Sequence, residues 1–336
     1  MAGLKEEITS IARQMGVDKI GFTTKDRLQD APPSADLEYV LPNAKSAISL
    51  CIAFDKTVIR PYLSKQDMWA HNTNHKATYF KLKLVKQTIQ RLLEERGYQA
   101  VSPLINDEYR PGQPPLAMIP PISDKYVAIA SGLGWFGWNQ LVLTPEYGAT
   151  VAFTTVVTSA ELEPDDPLED AGWCHHCRLC VPACPVNFLS MDREETVTLA
   201  GRTYCYNKGR SILRCLVCCG GCTGVNDHTA TWSTWCPTEL ELPGADDEEA
   251  FRQKVYQYVE DPKHIRLKWL LDFSSGSGVT NWKDFDYTYL IEEWFTCGNC
   301  MLICWPKMAD RKENWRLLKS SGKVTQNEPY MRVSVL

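Results

Sequence analysis

The sequence has no apolar run approaching the roughly 20 residues that cross a bilayer. Its opening stretch, MAGLKEEITSIARQMG, is amphipathic with acidic residues inside it, unlike a secretory leader. A soluble, cytoplasmic protein is the expectation, with no membrane partner. Surplus positive charge is also missing: 36 Lys and Arg against 41 Asp and Glu leave a formal net charge of -5. Without an extended basic surface to neutralise phosphates, nucleic acid is not the expected partner. Cysteine is nearly absent from the first half, where Cys51 stands alone, while the other thirteen of 14 fall between 174 and 304. In a reducing compartment that crowding points to metal and away from a disulfide framework.

A hydrophobic content of 44% and a charged fraction of 23% are those of a folded chain of one or two domains. Leu4, Ile8, Ile11, Ala12 and Met15 recur at helical spacing and Gly16 follows as a C-cap; Val17 to Phe22 then reads as a strand. Ala47 to Phe54 is a second strand, and Leu82, Val85, Ile89, Leu92 and Leu93 mark a helix ending near Gly97. Pro103, Pro111, Pro114, Pro115, Pro120 and Pro121 make residues 102–121 a long loop, and loops of that length often carry function. A glycine-rich turn at 132–137, an apolar Leu141 to Leu143 and a strand from Ala149 to Thr158 complete an α/β domain over 1–160. The acidic Glu161 to Asp170 reads as the linker into a cysteine-rich domain over 161–336.

Cys174, Cys177, Cys180 and Cys184, with Pro185, form C-x2-C-x2-C-x3-C-P. That spacing wraps three thiolates around one [4Fe-4S] cube and sends the fourth to a neighbouring cube. A second cluster is therefore required, and Cys297-x2-Cys300-x3-Cys304 is the natural other half. By the crossed logic Cys304 completes the first cube, while Cys297 and Cys300 join Cys184 in the second. One thiolate is still lacking. Cys205 is the first choice because it lies between the motifs and apart from other cysteines. Cys215, Cys218, Cys219, Cys222 and Cys236 stay open as its source, or as a separate zinc site or third cluster. His175 and His176, inside the cluster loop, are read as flanking groups because cysteines already saturate the irons.

GLGWFGWNQLVLTPEYGATV (132–151) followed by CHHCRLCVPACP (174–185) resembles the cobalamin-dependent reductases, namely reductive dehalogenases and epoxyqueuosine reductases. PPISDKYVAIAS (120–131), CGNCMLICWP (297–306) and RKENWRLLKSSGKV (311–324) carry the same likeness. The resemblance implies a nitroreductase-like α/β domain holding base-off cobalamin, followed by a ferredoxin-like double-cluster domain that feeds electrons to cobalt. It implies a cofactor cradle of Gly132, Leu133, Gly134, Trp135, Gly137, Asn139, Pro145, Tyr147 and Gly148, where backbone can approach a bulky planar ligand. The absence of a D-x-H-x-x-G signature implies no histidine beneath cobalt.

Reduced ferredoxin or flavodoxin is the implied donor. The implied reaction is reductive cleavage of a carbon-halogen or carbon-oxygen bond in a small molecule, with a nearby acid supplying the proton. Asp124 and Tyr126, with Lys125 between them, are the candidates for that acid; Tyr109 and Arg110 are weaker ones. Trp135 and Trp138 could wall an apolar cavity, although Trp138 stands where the family frequently has a basic residue. No twin-arginine signal and no basic helical extension for tRNA are present. The expectation is accordingly a dehalogenase-like enzyme. A tRNA epoxyqueuosine reductase and an electron carrier or corrinoid activator are the alternatives.

Overall fold

The computed structural model describes residues 3–103, 109–113, 116–219, 221–227, 229–236, 240, 242–244, 246–260 and 296–324. Helix α1 (Leu4–Gln14) ends at Gly16, whose φ of +75° suits glycine, and the chain turns into β1 (Lys19–Thr24). Strand β2 (Ser46–Ala53) pairs antiparallel with β1 on one side and with β6 (Val151–Thr158) on the other. The short β3 (Ala100–Val101) closes the sheet in the order β1-β2-β6-β3.

The sheet is covered on both faces, which explains why β2 is apolar almost throughout. Ile48, Leu50 and Ile52 point to α1, α2 (Lys56–Leu63) and the long α3 (Trp69–Glu95). Ala47 packs toward α4 (Asp124–Ala130), against Val127 and Ala130. Helix α3 starts well before the helix expected from its apolar positions. Its first turns bury His71, Asn72, His75 and Thr78, polar residues that carry no apolar periodicity.

Beyond the sheet come β4 (Trp135–Phe136), β5 (Val142–Leu143), and the hairpin β7 (Glu194–Leu199) with β8 (Arg202–Asn207). Helices α5 (Ile212–Cys219), α6 (Glu248–Val259), α7 (Asn299–Leu302) and α8 (Met308–Lys319) follow. The segment expected to be a linker is pinned to the sheet: Asp165 accepts from Phe22 N at 2.9 Å and from Lys5 Nζ at 2.7 Å. Trp232, Trp235, Leu302, Ile303, Trp305 and Leu318 join the core of the first sheet face. One hydrophobic core thus runs across residue 160. Of the proline-rich loop, residues 104–108 and 114–115 lie outside the described residues; the rest holds no helix or strand.

Candidate functional site

Two groups of thiols sit side by side. Cys174, Cys177, Cys180 and Cys304 line one cavity with Trp138, Asn139, Arg178 and Arg311. The loop carrying the first three curls through left-handed φ values at His176 (+45°) and Arg178 (+54°), a conformation that non-glycine residues seldom adopt outside functional sites. Trp138 N donates to Cys174 Sγ at 3.3 Å, and the Arg178 guanidinium lies 4.5 Å over the Trp138 ring. Burial pushes the Cys180 thiol up, and Cys304, Cys174 and Cys177 add to it. Burial likewise pushes Cys304 up to about 12, while Arg311 pulls it down. Thiols packed this closely resist ionisation. Iron offsets that cost, since thiolate is the ligand form.

The second group draws its sulfurs from three separated segments. Cys184, Cys297 and Cys300 lie within one another's electrostatic reach, and Cys184 and Cys300 both also feel Cys215, near the start of α5. Cys184 is pushed up to about 12 by burial, against a hydrogen bond from the Leu189 backbone. Phe188 N donates to its sulfur at 3.3 Å. The structure places Cys205 elsewhere. On β8 opposite Thr196, it lies beside Glu194 and within reach of Cys174 of the first group, and burial followed by Glu194 pushes it up to about 11. Spacing alone could not separate the two candidates; the helical 215, 218, 219 pattern was the available signal, because those positions share a face.

Cys222 packs with Leu213, Val217 and Phe251, and Cys236 donates to Gly221 O at 2.9 Å, so neither faces this group. Among the described residues no three His, Cys, Asp or Glu side chains close on one point as a single ion demands. Four ligands about zinc, each roughly 2.3 Å from the metal, would be tighter than this. A four-iron cube, with one thiolate on each iron, takes a wider set.

Beside the inner group lies a cavity of about 580 Å³, within the range of ligand sites. Asp124, Lys125, Tyr126, Tyr109 and Tyr79 line it, and Phe188, Ile212 and Met301 carry its wall to within a few residues of Cys184, Cys215 and Cys300. Asp124 opens α4, whose cap is Ser123, and accepts from Thr155 Oγ1 at 2.7 Å. Burial raises its carboxyl to about 6, against the Thr155 hydrogen bond and Lys86, which lower it. Burial also raises the Tyr126 hydroxyl, with Glu195 adding to the effect. Arg110, by contrast, is a strut: its guanidinium donates to Pro33 O at 2.6 Å and to Pro121 O at 2.9 Å. No histidine is among the described lining residues.

The glycine turn does a different job from the one expected of it. A Cβ on Gly132 (φ +74°) would meet Asp166 O at 2.3 Å, and one on Gly148 (φ +63°) would meet Cys304 O at 2.2 Å. Gly134 and Gly137 press on Val142 and Leu143. The close approach is therefore to the chain's own backbone, and none of the nine expected cradle residues lines the large cavity. Leu133 is core; Trp135 stacks edge-on against Tyr204 at 4.6 Å; Tyr147 accepts at its carbonyl from Thr150 Oγ1 at 2.7 Å. Pro145 lies in the turn between β5 and β6. Asn139 Nδ2 donates to Cys300 O at 2.8 Å, bracing the inner group, and Trp138 walls the outer thiol cavity. Cavity-facing signal was carried by the neighbouring Gln140, Leu141 and Val142.

These geometries define a class, an iron-sulfur protein, and residues 167–190 match the 4Fe-4S binding domain model. In sequence the chain is similar to epoxyqueuosine reductases. It is 30% identical to the epoxyqueuosine reductase of Listeria monocytogenes over 220 residues, 56% of this chain and 53% of that protein. The chain spans about half the length of the curated relatives it matches. A solved epoxyqueuosine reductase with a tRNA-Tyr stem loop overlays with a TM-score of 0.42 at 24% identity, covering 67% of this chain and 59% of that one. A reductive dehalogenase, described as performing B12-dependent dehalogenation, overlays with a TM-score of 0.49 at 15% identity, covering 80% and 36%. No helix among the described residues is long and apolar enough to cross a membrane.

Proposed function

We propose that this chain is an iron-sulfur oxidoreductase that reductively opens a carbon-oxygen bond in the cavity beside Asp124, as an epoxyqueuosine reductase-like enzyme. The observation that carries this reading is that Phe188, Ile212 and Met301, chain neighbours of the inner thiols, wall the same cavity that holds the Asp124 carboxyl. Sequence likeness to epoxyqueuosine reductases moves the reading from carbon-halogen to carbon-oxygen chemistry. It also restores a modified nucleoside borne on RNA as a substrate class, against the expectation from net charge. Lys125, Lys208 and Arg210 on the cavity wall suit the anionic part of such a ligand.

Cys174, Cys177, Cys180 and Cys304 hold the outer cube, and Cys184, Cys215, Cys297 and Cys300 the inner one. Cys215 takes the place expected of Cys205. Reductive opening of such a bond consumes two electrons and two protons, and two clusters store one electron each. A reduced ferredoxin or flavodoxin loads the outer cube, whose loop exposes His175 and His176. Cys180 and Cys300, which feel one another's charge, lie at the junction between the two.

Gln140, Leu141 and Val142 beside the glycine turn, with Tyr126 and Tyr79, would hold a corrinoid in this cavity. Bound there, it would supply a low-potential metal centre for the cleavage. Asp124 holds the proton to be delivered, and Thr155 orients its carboxyl. Tyr126 and Tyr79 enclose the same space and exclude water from it.

Anaerobically reconstituted protein is expected to carry about eight irons, and with reduced donor and corrinoid to deoxygenate epoxyqueuosine in RNA. Zinc in place of iron overturns the cluster reading. Activity on the free nucleoside alone overturns the RNA-borne substrate.

A further inference from the structure

Four thiolates complete the inner cube, yet six sulfurs meet there. Helix α5 presents Cys215, Cys218 and Cys219 at positions i, i+3 and i+4, which share one face. Cys219 Sγ stands 3.7 Å from Cys215 Sγ. Cys218 and Cys219 both lie within electrostatic reach of the Cys297 sulfur. The register is locked from the backbone, because Thr296 Oγ1 donates to Cys218 O at 3.0 Å and Tyr62 Oη donates to Cys297 O at 3.0 Å. The outer group has no such surplus, its nearest additional cysteine being Cys205, which is engaged with Glu194.

Resting on the two-cube reading above, we propose that Cys218 and Cys219 bind no iron and act as positioning residues, donating S–H hydrogen bonds to the ligating sulfurs of Cys297 and Cys215. A cube takes one thiolate per iron, so once Cys184, Cys215, Cys297 and Cys300 are bound the two remaining sulfurs keep their protons. Donors to cluster sulfur stabilise the more negative, reduced cube and raise its potential. The inner cube therefore lies higher than it would without these two thiols, which favours electrons resting on it.

The test is a potentiometric titration of the full, reconstituted chain, followed by electron paramagnetic resonance, with wild type, Cys219→Ala, Cys218→Ala and the serine variants compared. Each alanine variant should keep about eight irons and shift the inner cube to lower potential, with the outer cube unmoved as an internal control of folding. Serine, which still donates, should restore most of the shift. In wild-type protein, solvent deuterium should replace a proton coupled to the inner cube, a readout that needs no variant. An unchanged inner potential together with no exchangeable proton overturns the inference. So does loss of half the iron in a Cys218 or Cys219 variant, which would make that residue a ligand. Wild-type protein without two cubes would instead sink the reading on which the inference rests.

Discussion

The outer and inner thiol groups differ in how the chain builds them. Three of the four outer sulfurs come from one short loop, Cys174 to Cys180, whose His175 and His176 are exposed, and lie beside Arg178 and Arg311. The inner sulfurs come from three separated segments, whose neighbours Phe188, Ile212 and Met301 wall the cavity holding Asp124. A local loop brings three sulfurs together. Gathering the inner set next to a cavity takes the tertiary fold, and under the proposed function that contrast makes the outer group the entrance and the inner one the point of delivery.

The largest expected effect separates the groups outright. Cys215→Ala should remove the inner cube and lower the iron content from about eight to about four, whereas Cys205→Ala should leave about eight. Iron analysis decides between them, and the reverse result returns Cys205 to the inner group. The crossing of the motifs is tested next. Spectra of Cys184→Ala should lack the inner cube and those of Cys304→Ala the outer one; damage to the same cube in both variants breaks the comparison.

Asp124 sharpens the delivery side. Asp124→Asn should lower turnover roughly 10²–10⁴-fold, the usual worth of a positioned acid, while both clusters stay intact. Since burial raises the carboxyl to about 6, wild-type turnover should decline as pH rises through that value. Thr155→Val removes the hydrogen bond that lowers this pKa, so the decline should move to higher pH. A pH profile identical in the two proteins would remove Asp124 from the proton-delivering role.

The smallest effect concerns stability beside the inner group. The His71 ring packs 4.6 Å from Tyr62, whose hydroxyl bonds Cys297 O, and burial lowers His71 to about 4. Its Nδ1 has no hydrogen-bond partner among the described residues. The unfolded chain, with His71 near 6.5, binds more protons, so stability is lost as pH falls from 6.5 toward 4. His71→Phe should remove about 2 kcal/mol of that loss at about pH 5. Urea unfolding at about pH 7 and pH 5 measures it, and equal losses in both proteins would contradict it.

What the sequence showed and hid follows the same division. Cys174, Cys177 and Cys180 were legible as one group because a single short loop carries all three to one cavity. The place of Cys215 beside Cys184 and Cys300 was hidden because it depends on which way α5 faces, although its spacing to Cys218 and Cys219 was helical. The sheet strands were readable from apolar runs; the first turns of α3 were not, because they bury histidine and asparagine. The position of Asp124 next to the glycine turn was visible in the chain, whereas its enclosure against Thr155 came only with the sheet. The glycines misled, because a turn needing close approach does not say what it approaches. Gly134→Val would strike Val142 and Leu143, so loss of cofactor in that variant would report a disturbed β4–β5 ribbon.

One contact ties the outer group to the sheet. Ala149 N donates to Cys304 O at 2.8 Å, and Gly148 leaves no room for a side chain there. Cys304 is thus held against the segment that leads into β6, about 150 residues away in the chain. Joining residues so far apart is entropically expensive, and a metal cluster bridging them lowers that cost in the folded state. The outer group's hold on iron is therefore coupled to the pairing of the sheet: where that seam is disturbed, the Cys174 to Cys180 loop keeps three sulfurs and loses the fourth.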